Sequence, residues 1–254
     1  MGQLDGKVAV VTGASSGSGF GISKRFVDEG ASVVMLARSE ARLAEKAVEL
    51  GSNAVPIVAD VGDPDSVRTA FGEVEERFGK LDILINNAAV YRPCRVEQLS
   101  DTDIVGQMST NLLGPIYTSR AAIPLMRAAG AGDIVNTSSE STLKPFPMLS
   151  MYVSTKAGLE MFGRVLSQEV RDIDIRVTTV VQGTAVGAGN GSADWQWEPE
   201  YAQAAGVMWT ERGLLAEVGG NHGGQEVEAI GDVHIFIVTR PRSQWLDVVH
   251  CRSF

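Results

Sequence analysis

The stretch Lys7-Val8-Ala9-Val10-Val11-Thr12-Gly13-Ala14-Ser15-Ser16-Gly17-Ser18-Gly19 begins with an apolar, β-branched run and ends in a glycine-rich turn. Such a run is typical of a strand that is buried on both faces of a sheet. The amphipathic residues that follow, as far as Gly30, predict a helix. Glycine lets the backbone approach a ligand closely, and the N–H groups at the start of a helix favour an anion such as a pyrophosphate. The stretch therefore predicts a nucleotide site between a strand and a helix, with a purely structural turn as the alternative.

Further strand signals follow at regular intervals, and helical patterns fill the gaps between them. These signals lie at Ala31–Leu36, Ala54–Ala59, Leu81–Ile85, Gly132–Asn136 and Ile175–Val181. Alternating strands and helices indicate βαβ units with right-handed crossovers around a parallel sheet. No linker, repeat or low-complexity tract divides the chain. We therefore predict that residues 1–254 form one α/β domain with a Rossmann-type, doubly wound sheet.

Arg38 follows the second predicted strand, at the point that distinguishes the two nicotinamide dinucleotides in a Rossmann unit. An acidic residue there accepts a hydrogen bond from the ribose of NAD(H), whereas an arginine accommodates the 2′-phosphate of NADP(H). Residues 37–39 contain no acid. The sequence thus favours NADP(H) over NAD(H), unless Arg38 pairs with Glu40 or simply faces solvent.

Tyr152 and Lys156 stand four residues apart in a segment with a helical pattern. Side chains at this spacing share one helical face, so the phenol and the ammonium can point into the same space. A neighbouring cation favours the phenolate and lowers the pKa of a tyrosine from about 10 towards neutrality. The pair could then take a proton from an alcohol or return one to a carbonyl. An ordinary helix surface is the alternative, because the spacing alone is common.

Taken together, these motifs resemble the short-chain dehydrogenase/reductase family over about residues 5–183. The family's T-G-x-x-x-G-x-G motif is present at residues 12–19. Its N-N-A-G motif appears at residues 86–89 with Ala89 in place of the last glycine, which is tolerated where φ is negative. Asp60 corresponds to the acid that holds the adenine. The resemblance implies that the cofactor site comprises Gly13, Ser15, Ser16, Gly17, Gly19, Arg38, Asp60, Val61, Asn87, Ala88, Tyr152, Lys156, Gly183 and Ala185.

The resemblance also implies a catalytic set of Asn111, Ser139, Tyr152 and Lys156. Ser139 is preferred to Ser138 because it lies thirteen residues before Tyr152. Tyr152 is then the general acid/base at the substrate oxygen, Lys156 lowers its pKa and binds the nicotinamide ribose, and Ser139 contacts the same oxygen. The implied reaction is hydride transfer that interconverts a secondary alcohol and a ketone or aldehyde.

Pro115 lies four residues after Asn111 inside a predicted helix. Proline has no N–H to donate to the carbonyl of residue 111, and its ring crowds that carbonyl. We therefore predict a kink that frees the Asn111 carbonyl, which in the family holds a water that relays protons from the lysine. A helix that ends near Leu113 is the alternative.

The resemblance weakens after the sixth strand. The family usually has a proline–glycine pair and later a threonine that dock the nicotinamide, but this chain has Gln182 in place of the proline and Gly187 in place of the threonine. Ala185 could still offer backbone groups. Residues 184–224 or so correspond to the family's variable substrate lid, and their aromatic side chains suggest a bulky, lipophilic substrate. Other candidate wall residues are Tyr91, Leu143, Phe146, Met148 and Leu149.

Beyond the lid, the family pattern places the penultimate helix at Glu226–Thr239 and the seventh strand of the sheet at Trp245–Val249. Family members are commonly homotetramers, or dimers, that assemble through the helices around Ser100–Ala128 and Met148–Arg171. If this chain uses the same surfaces, their outward faces should be apolar.

Composition narrows the function classes. The net charge is −9 and the basic residues are scattered, which argues against nucleic acid and anionic membranes as partners. Two distant cysteines and three dispersed histidines form no metal motif, so we expect reduced thiols and no metal site. The N-terminal segment lacks the apolar core of a signal peptide, and no apolar run reaches membrane-spanning length. We expect a soluble, cytoplasmic protein.

The leading hypothesis is an NADP(H)-dependent oxidoreductase that acts on CH–OH groups of a small molecule. The same reaction with NAD(H) is the first alternative. A second is a non-catalytic regulator that binds a dinucleotide on this fold, which the altered segment after Val181 would favour. An epimerase or dehydratase would need a different glycine spacing and a longer C-terminal half.

Overall fold

A parallel sheet of seven strands forms the centre of the computed structural model, which describes residues 2–186, 198–215 and 224–253. Its strands are β1 (Val8–Thr12), β2 (Ser32–Ala37), β3 (Ala54–Val58), β4 (Ile83–Asn86), β5 (Gly132–Ser139), β6 (Ile175–Gln182) and β9 (Val248–Cys251). They lie in the order β3-β2-β1-β4-β5-β6-β9, and every neighbouring pair is parallel. The prediction of a Rossmann-type, seven-stranded sheet is confirmed. Two short strands, β7 (Ala185–Val186) and β8 (Gln225–Glu226), pair separately.

Helices cover both faces of this sheet. They are α1 (Gly17–Asp28), α2 (Glu40–Leu50), α3 (Pro64–Phe78), α4 (Asp101–Met108), α5 (Gly114–Ala129), α6 (Ser150–Glu169), α7 (Pro199–Glu211) and α8 (Val227–Val238) among the described residues. Alternate residues of β1 enter two separate apolar cores: Ala9 and Val11 pack with α1, α2 and α8, whereas Val8 and Val10 pack with α3, α5 and α6. Burial on both faces explains why the strand is a continuous apolar run.

The chain reverses its direction across the sheet next to β1. From β1 it proceeds outward to β2 and β3, and then returns to form β4 on the other side of β1. The loops that follow β1 and β4 therefore diverge, and a crevice opens between them at the carboxyl ends of the strands. This crevice is where a doubly wound sheet binds its ligand.

The chain between α4 and α5 is a π-helical turn, Ser109–Leu113, that contains Asn111 and immediately precedes α5. The normal helical acceptor of an N–H at position 115 is the carbonyl of residue 111, and Pro115 cannot supply that N–H. A wider turn accommodates the missing bond. The helix thus departs from α geometry at the predicted place and continues beyond Leu113, while the kink and the free Asn111 carbonyl stay predictions. The water on the Asn111 carbonyl stays a prediction.

The C-terminal elements agree with the expected pattern in part. The helix expected at Glu226–Thr239 is present as α8, but the last strand begins at Val248 rather than at Trp245. The shift arises because the Trp245 indole N–H donates to the Val177 carbonyl and the Leu246 carbonyl accepts from the Thr178 hydroxyl before ladder pairing starts. Ala89 has no positive φ, as its substitution for glycine requires. Much of the expected lid, including residues 187–197 and 216–223, lies outside the described residues.

Candidate active site

A cavity of about 680 Å³ lies at the carboxyl ends of the strands. Most of the predicted site residues line it, although they come from well-separated parts of the chain. Those in its wall are Gly13, Ser15, Ser16, Gly17, Arg38, Asp60, Val61, Asn87, Ala88, Ser139, Tyr152, Lys156, Gly183 and Ala185. Gly19 and Asn111 are not in the wall. Their positions indicate supporting roles in the glycine turn and beneath α6.

The glycine turn has a shape that only small residues permit. Gly13 and Gly17 have φ values of +68° and +59°, which favour glycine. A Cβ on Gly19 would lie 2.3 Å from the Gly13 carbonyl oxygen, so the turn folds directly onto the start of α1. The N-cap residue Ser16 makes no side-chain cap, and the first N–H groups of α1 therefore remain available to an anion.

Thr12 fixes the glycine turn to the loop after β4. Its hydroxyl donates to the Ile85 carbonyl and accepts from the backbone N–H groups of Asn87 and Ala88, at 2.9 and 3.0 Å. The Asn87 amide nitrogen donates to the Thr12 carbonyl at 3.0 Å. These bonds hold the two sides of the crevice at a fixed separation.

The outer end of the cavity is polar and open. Arg38 is exposed, and no ion pair with Glu40 is present in the parts of the chain that the structure describes. Arg42, which sequence reasoning missed, also lines this end, and its Nε donates to the Ser39 hydroxyl at 3.4 Å. Its position in the first turn of α2, four residues after Arg38, was the available signal. Asp60 accepts from the Gly62 N–H at 2.8 Å, which fixes the carboxylate at the cavity wall.

The inner end contains the three residues predicted to react. The Lys156 ammonium is buried, donates to the Thr137 carbonyl at 2.6 Å and lies 5.7 Å from the centre of the Tyr152 ring. Burial lowers the pKa of Lys156 to about 8. Burial raises the pKa of Tyr152 to about 12, and a hydrogen bond with Ser139 offsets part of that rise. In the protein alone the Tyr152 pKa therefore lies above 10, because the phenol is desolvated, and the expected lowering by Lys156 stays a prediction.

Ser141 is a functional candidate that the sequence did not reveal. Its hydroxyl donates to the Ser139 oxygen at 2.9 Å, and its backbone N–H donates to the same oxygen at 3.2 Å. A hydroxyl oxygen has two lone pairs. Because both are engaged by Ser141, the Ser139 proton is directed outward as a donor.

The Asn111 side chain holds the loop after β4 beneath the cavity. Its oxygen accepts from the Val90 N–H at 2.8 Å, and its nitrogen donates to the Val90 carbonyl at 2.7 Å and to the Thr155 hydroxyl at 3.2 Å. The side chain thus ties this loop to the helix that carries Tyr152. Any part in a proton relay belongs to its backbone carbonyl.

An apolar cluster packs against Tyr152. Phe146, Met148, Leu149, Ala205 and Trp209 form its buried centre, and Tyr91 and Tyr201 pack against it. The Trp209 ring meets Phe146 edge-on at 5.3 Å, and its N–H donates to the Pro147 carbonyl. Of the expected wall residues, Tyr91, Phe146 and Leu149 line the cavity, whereas Leu143 is 54% exposed and Met148 lies behind the wall.

The family model described as short chain dehydrogenase matches residues 7–196, which include the glycine turn, Ser139, Tyr152 and Lys156. The chain belongs to the short-chain dehydrogenase family. Among curated relatives, an uncharacterized oxidoreductase of Methylorubrum extorquens is 32% identical over 239 residues, which cover 92% of this chain and 91% of that protein. An 11-beta-hydroxysteroid dehydrogenase of Arabidopsis thaliana is 38% identical over 186 residues, or 71% of this chain. That match spans only 53% of the relative's length.

Two solved structures of oxidoreductases share the fold over nearly the whole of this chain. A metagenomic short-chain oxidoreductase in complex with NADP is 25% identical, with a TM-score of 0.79 over 99% of both chains. An alcohol dehydrogenase of Thermococcus sibiricus, complexed with 5-hydroxy-NADP, is also 25% identical, with a TM-score of 0.79 over 97% of this chain and 96% of that one.

No described helix is both long and apolar enough to cross a membrane. No group of three or more histidine, cysteine or acidic side chains among the described residues could hold a metal ion.

Proposed function

We propose that this protein is an NADP(H)-dependent oxidoreductase that interconverts a secondary alcohol and a ketone or aldehyde. The observation that carries the proposal is the meeting of Ser139, Tyr152 and Lys156 in the wall of the cavity that also contains the glycine turn. The relatives named as hydroxysteroid or alcohol dehydrogenases and the neighbours bound to NADP or 5-hydroxy-NADP support the same assignment.

The residues of the cavity fit a dinucleotide. The close approach of Gly19 to Gly13 leaves no space for a Cβ, and the uncapped start of α1 can receive a pyrophosphate. Arg38 and Arg42 at the open end suit the 2′-phosphate of NADP(H). Lys156 uses one N–H on Thr137, and its remaining N–H groups can bind a ribose. The bound nicotinamide would supply or accept the hydride.

The chain's own residues then handle the proton. With a pKa near 12 in the protein alone, Tyr152 carries its proton at neutral pH and can act as the acid in carbonyl reduction. Ser139, held as a donor by Ser141, stabilises negative charge on the substrate oxygen. Lys156, with a pKa near 8, can hold or release a proton near neutral pH and thereby replenish the tyrosine. The apolar cluster around Trp209 favours a lipophilic substrate and excludes water.

The test combines turnover with a cofactor comparison. We expect the purified protein to oxidise NADPH with a panel of lipophilic ketones, at a kcat/KM at least about tenfold above that with NADH. Arg38→Ala should remove most of this preference, whereas Arg127→Ala, an exposed arginine at the end of α5, should preserve it. Binding of NADPH without turnover of any carbonyl or alcohol would instead support the non-catalytic regulator. A preference for NADH in the unchanged protein would contradict the role of Arg38.

We also propose a single domain over residues 1–254 and a homo-oligomer. The outward faces of the helices expected at the interface carry exposed apolar residues: Val105 on α4, and Met161 and Val165 on α6. These are 61%, 57% and 51% exposed. Light scattering should give the unchanged protein a molar mass larger than that of one chain. Met161→Asp should lower this molar mass, because it places a charge on the expected interface. The cytoplasmic location stays a prediction from the sequence.

A further inference from the structure

Gln182 ends β6 at the point where the family usually has a proline, and its side chain lines the cavity. It lies opposite Ser139 in the strand register, so it belongs to the inner, reacting end of the cavity. Its amide nitrogen donates to the hydroxyl of Ser18 at 3.0 Å. Ser18 is part of the glycine turn. The amide therefore spans from the end of the sheet to the expected pyrophosphate site, a connection that a proline could not make.

The other end of this amide has no partner. Its oxygen, Oε1, is buried, and no group within residues 2–186, 198–215 and 224–253 donates a hydrogen bond to it. Buried acceptors are almost always satisfied in folded proteins, because removal from water without a partner is unfavourable. An unsatisfied acceptor in a cavity wall thus indicates a ligand with an N–H or O–H group at that position.

We propose that Gln182 binds the nicotinamide carboxamide, with Oε1 accepting a hydrogen bond from the carboxamide N–H. This inference rests on the proposed use of NADP(H). The proposed cofactor would extend through the cavity from the glycine turn to the reacting residues. Gln182 contacts the glycine turn through its hydrogen bond to Ser18 and is paired with Ser139 in the β5–β6 register. The apolar cluster that would receive the substrate packs against Tyr152 and does not include Gln182. Gln182 thereby replaces part of the docking segment that is altered after Val181.

Two other residues of the same wall have a buried oxygen without a described partner: Thr137, through its Oγ1, and Glu140, through its Oε2. Thr137 lies two residues before Ser139 on β5, whereas Glu140 is the competing carboxylate acceptor. Its other carboxylate oxygen pairs with Arg252 at 3.4 Å, and Oε2 lies 3.0 Å from where a Cβ on Gly183 would stand. The Glu140 side chain is thus turned towards the C-terminal segment rather than the glycine turn. Gln182 is the acceptor that is attached to the cofactor's side of the cavity.

The test measures equilibrium binding by calorimetry and needs no substrate. Three ligands separate the contributions: NADP⁺, its 3-acetylpyridine analogue, which has a methyl group in place of the carboxamide NH₂, and 2′-phospho-ADP-ribose, which has no pyridine ring. We expect the unchanged protein to bind NADP⁺ about tenfold more tightly than the acetylpyridine analogue. In Gln182→Met, which is of similar size, the two affinities should become equal within about twofold, and that for 2′-phospho-ADP-ribose should change little.

Ser18→Ala is the matched control, because it removes the partner of the amide nitrogen and leaves Oε1 in place. It should retain most of the discrimination between NADP⁺ and the acetylpyridine analogue. If Gln182→Met discriminated between NADP⁺ and the acetylpyridine analogue as well as the unchanged protein does, the inference would be overturned. If Glu140→Gln lost this discrimination, the contact would be reassigned to Glu140. Failure of all three ligands to bind the unchanged protein would instead refute the proposed cofactor.

Discussion

Burial shifts the pKa of Lys156 and Tyr152 in the cavity wall and of His234 in the packed core, but only the first two side chains line a space that a ligand can enter. Lys156 is buried and Tyr152 is half-buried at the inner end of the cavity, where their pKa values shift to about 8 and about 12. His234 in α8 is fully buried, and burial lowers its pKa to about 4. The Lys156 and Tyr152 side chains line a cavity next to a hydrogen-bonding serine, whereas His234 does not line the cavity. A displaced pKa therefore indicates chemistry only when the group faces a space that a ligand can enter.

His234 shows what the same physics does inside a core. Its Nδ1 lies 2.8 Å from the Ile230 carbonyl, and its Nε2 is buried without a partner among the described residues. The neutral ring is therefore tolerated there, and the charged ring is not. Its effect should appear in stability and not in turnover.

The largest expected effect is on turnover and concerns Tyr152 in the cavity. Tyr152→Phe removes the proton donor and should reduce kcat by a factor of about 10²–10⁴. The free energy of unfolding should change by no more than about 1 kcal/mol, because the ring is retained and only one hydrogen bond is lost. Steady-state kinetics and urea unfolding measure the two quantities, with Tyr117→Phe on α5 as the matched control. A Tyr152→Phe variant that kept more than about a tenth of kcat would remove the tyrosine from the mechanism.

The second prediction concerns pH and His234. The histidine pKa is near 6.5 in the unfolded chain and about 4 in the folded protein, so the unfolded state binds the proton first as pH falls. The stability associated with the neutral ring is present above pH 6.5 or so and is lost as pH falls towards 4, by on the order of 3 kcal/mol. Urea unfolding of the unchanged protein and of His234→Gln over this range measures the difference.

The exposed His250 on β9 offers the control for that experiment. His250→Gln should follow the pH dependence of the unchanged protein, whereas His234→Gln should show a shallower one. Parallel curves for all three proteins would show that His234 is not neutral in the fold.

The third prediction tests how closely α1 packs against α8, the helix that contains His234. A Cβ on Gly21 would lie 2.4 Å from the Val227 carbonyl oxygen, so Gly21→Ala should destabilise the protein by about 1–3 kcal/mol. In α3, a Cβ on Gly72 would meet nothing within 4 Å, and Gly72→Ala should stabilise by about 0.5–1 kcal/mol through helix propensity. Urea denaturation midpoints measure both stability changes, provided that the m-values of the two variants equal that of the unchanged protein. Equal effects of the two substitutions would contradict the close packing.

The smallest expected effect returns to the active site. Ser141→Ala removes one of the two donors to the Ser139 oxygen, so it should lower kcat about fivefold with KM nearly unchanged. The kcat–pH profile should also change, because Ser139 becomes free to accept as well as donate. Ser141→Thr keeps a hydroxyl and should restore most of the rate. If both variants had the profile of the unchanged protein, Ser141 would have no part in orienting Ser139.

Much of the site was predictable because its residues follow strands. The glycine turn after β1, Asp60 after β3, Asn87 after β4 and Ser139 at the end of β5 all lie at the carboxyl ends of parallel strands, which meet at one edge. The helical spacing of Tyr152 and Lys156 was likewise sufficient to bring their side chains to one face. Gln182 was recognised as a departure, but its bond to Ser18 joins residues far apart in sequence and was not predictable.

The order of the strands and helices and the edge of the sheet at which the cavity lies could be predicted from the amino-acid sequence, because apolar periodicity and glycine turns act locally. The charge states depend on the folded protein. Desolvation depends on everything packed around a group, and it raised the Tyr152 pKa where the neighbouring lysine alone predicted a fall. It also decided which polar atoms are left without partners, such as Gln182 Oε1, since a missing hydrogen bond can be recognised only when the whole neighbourhood is in place.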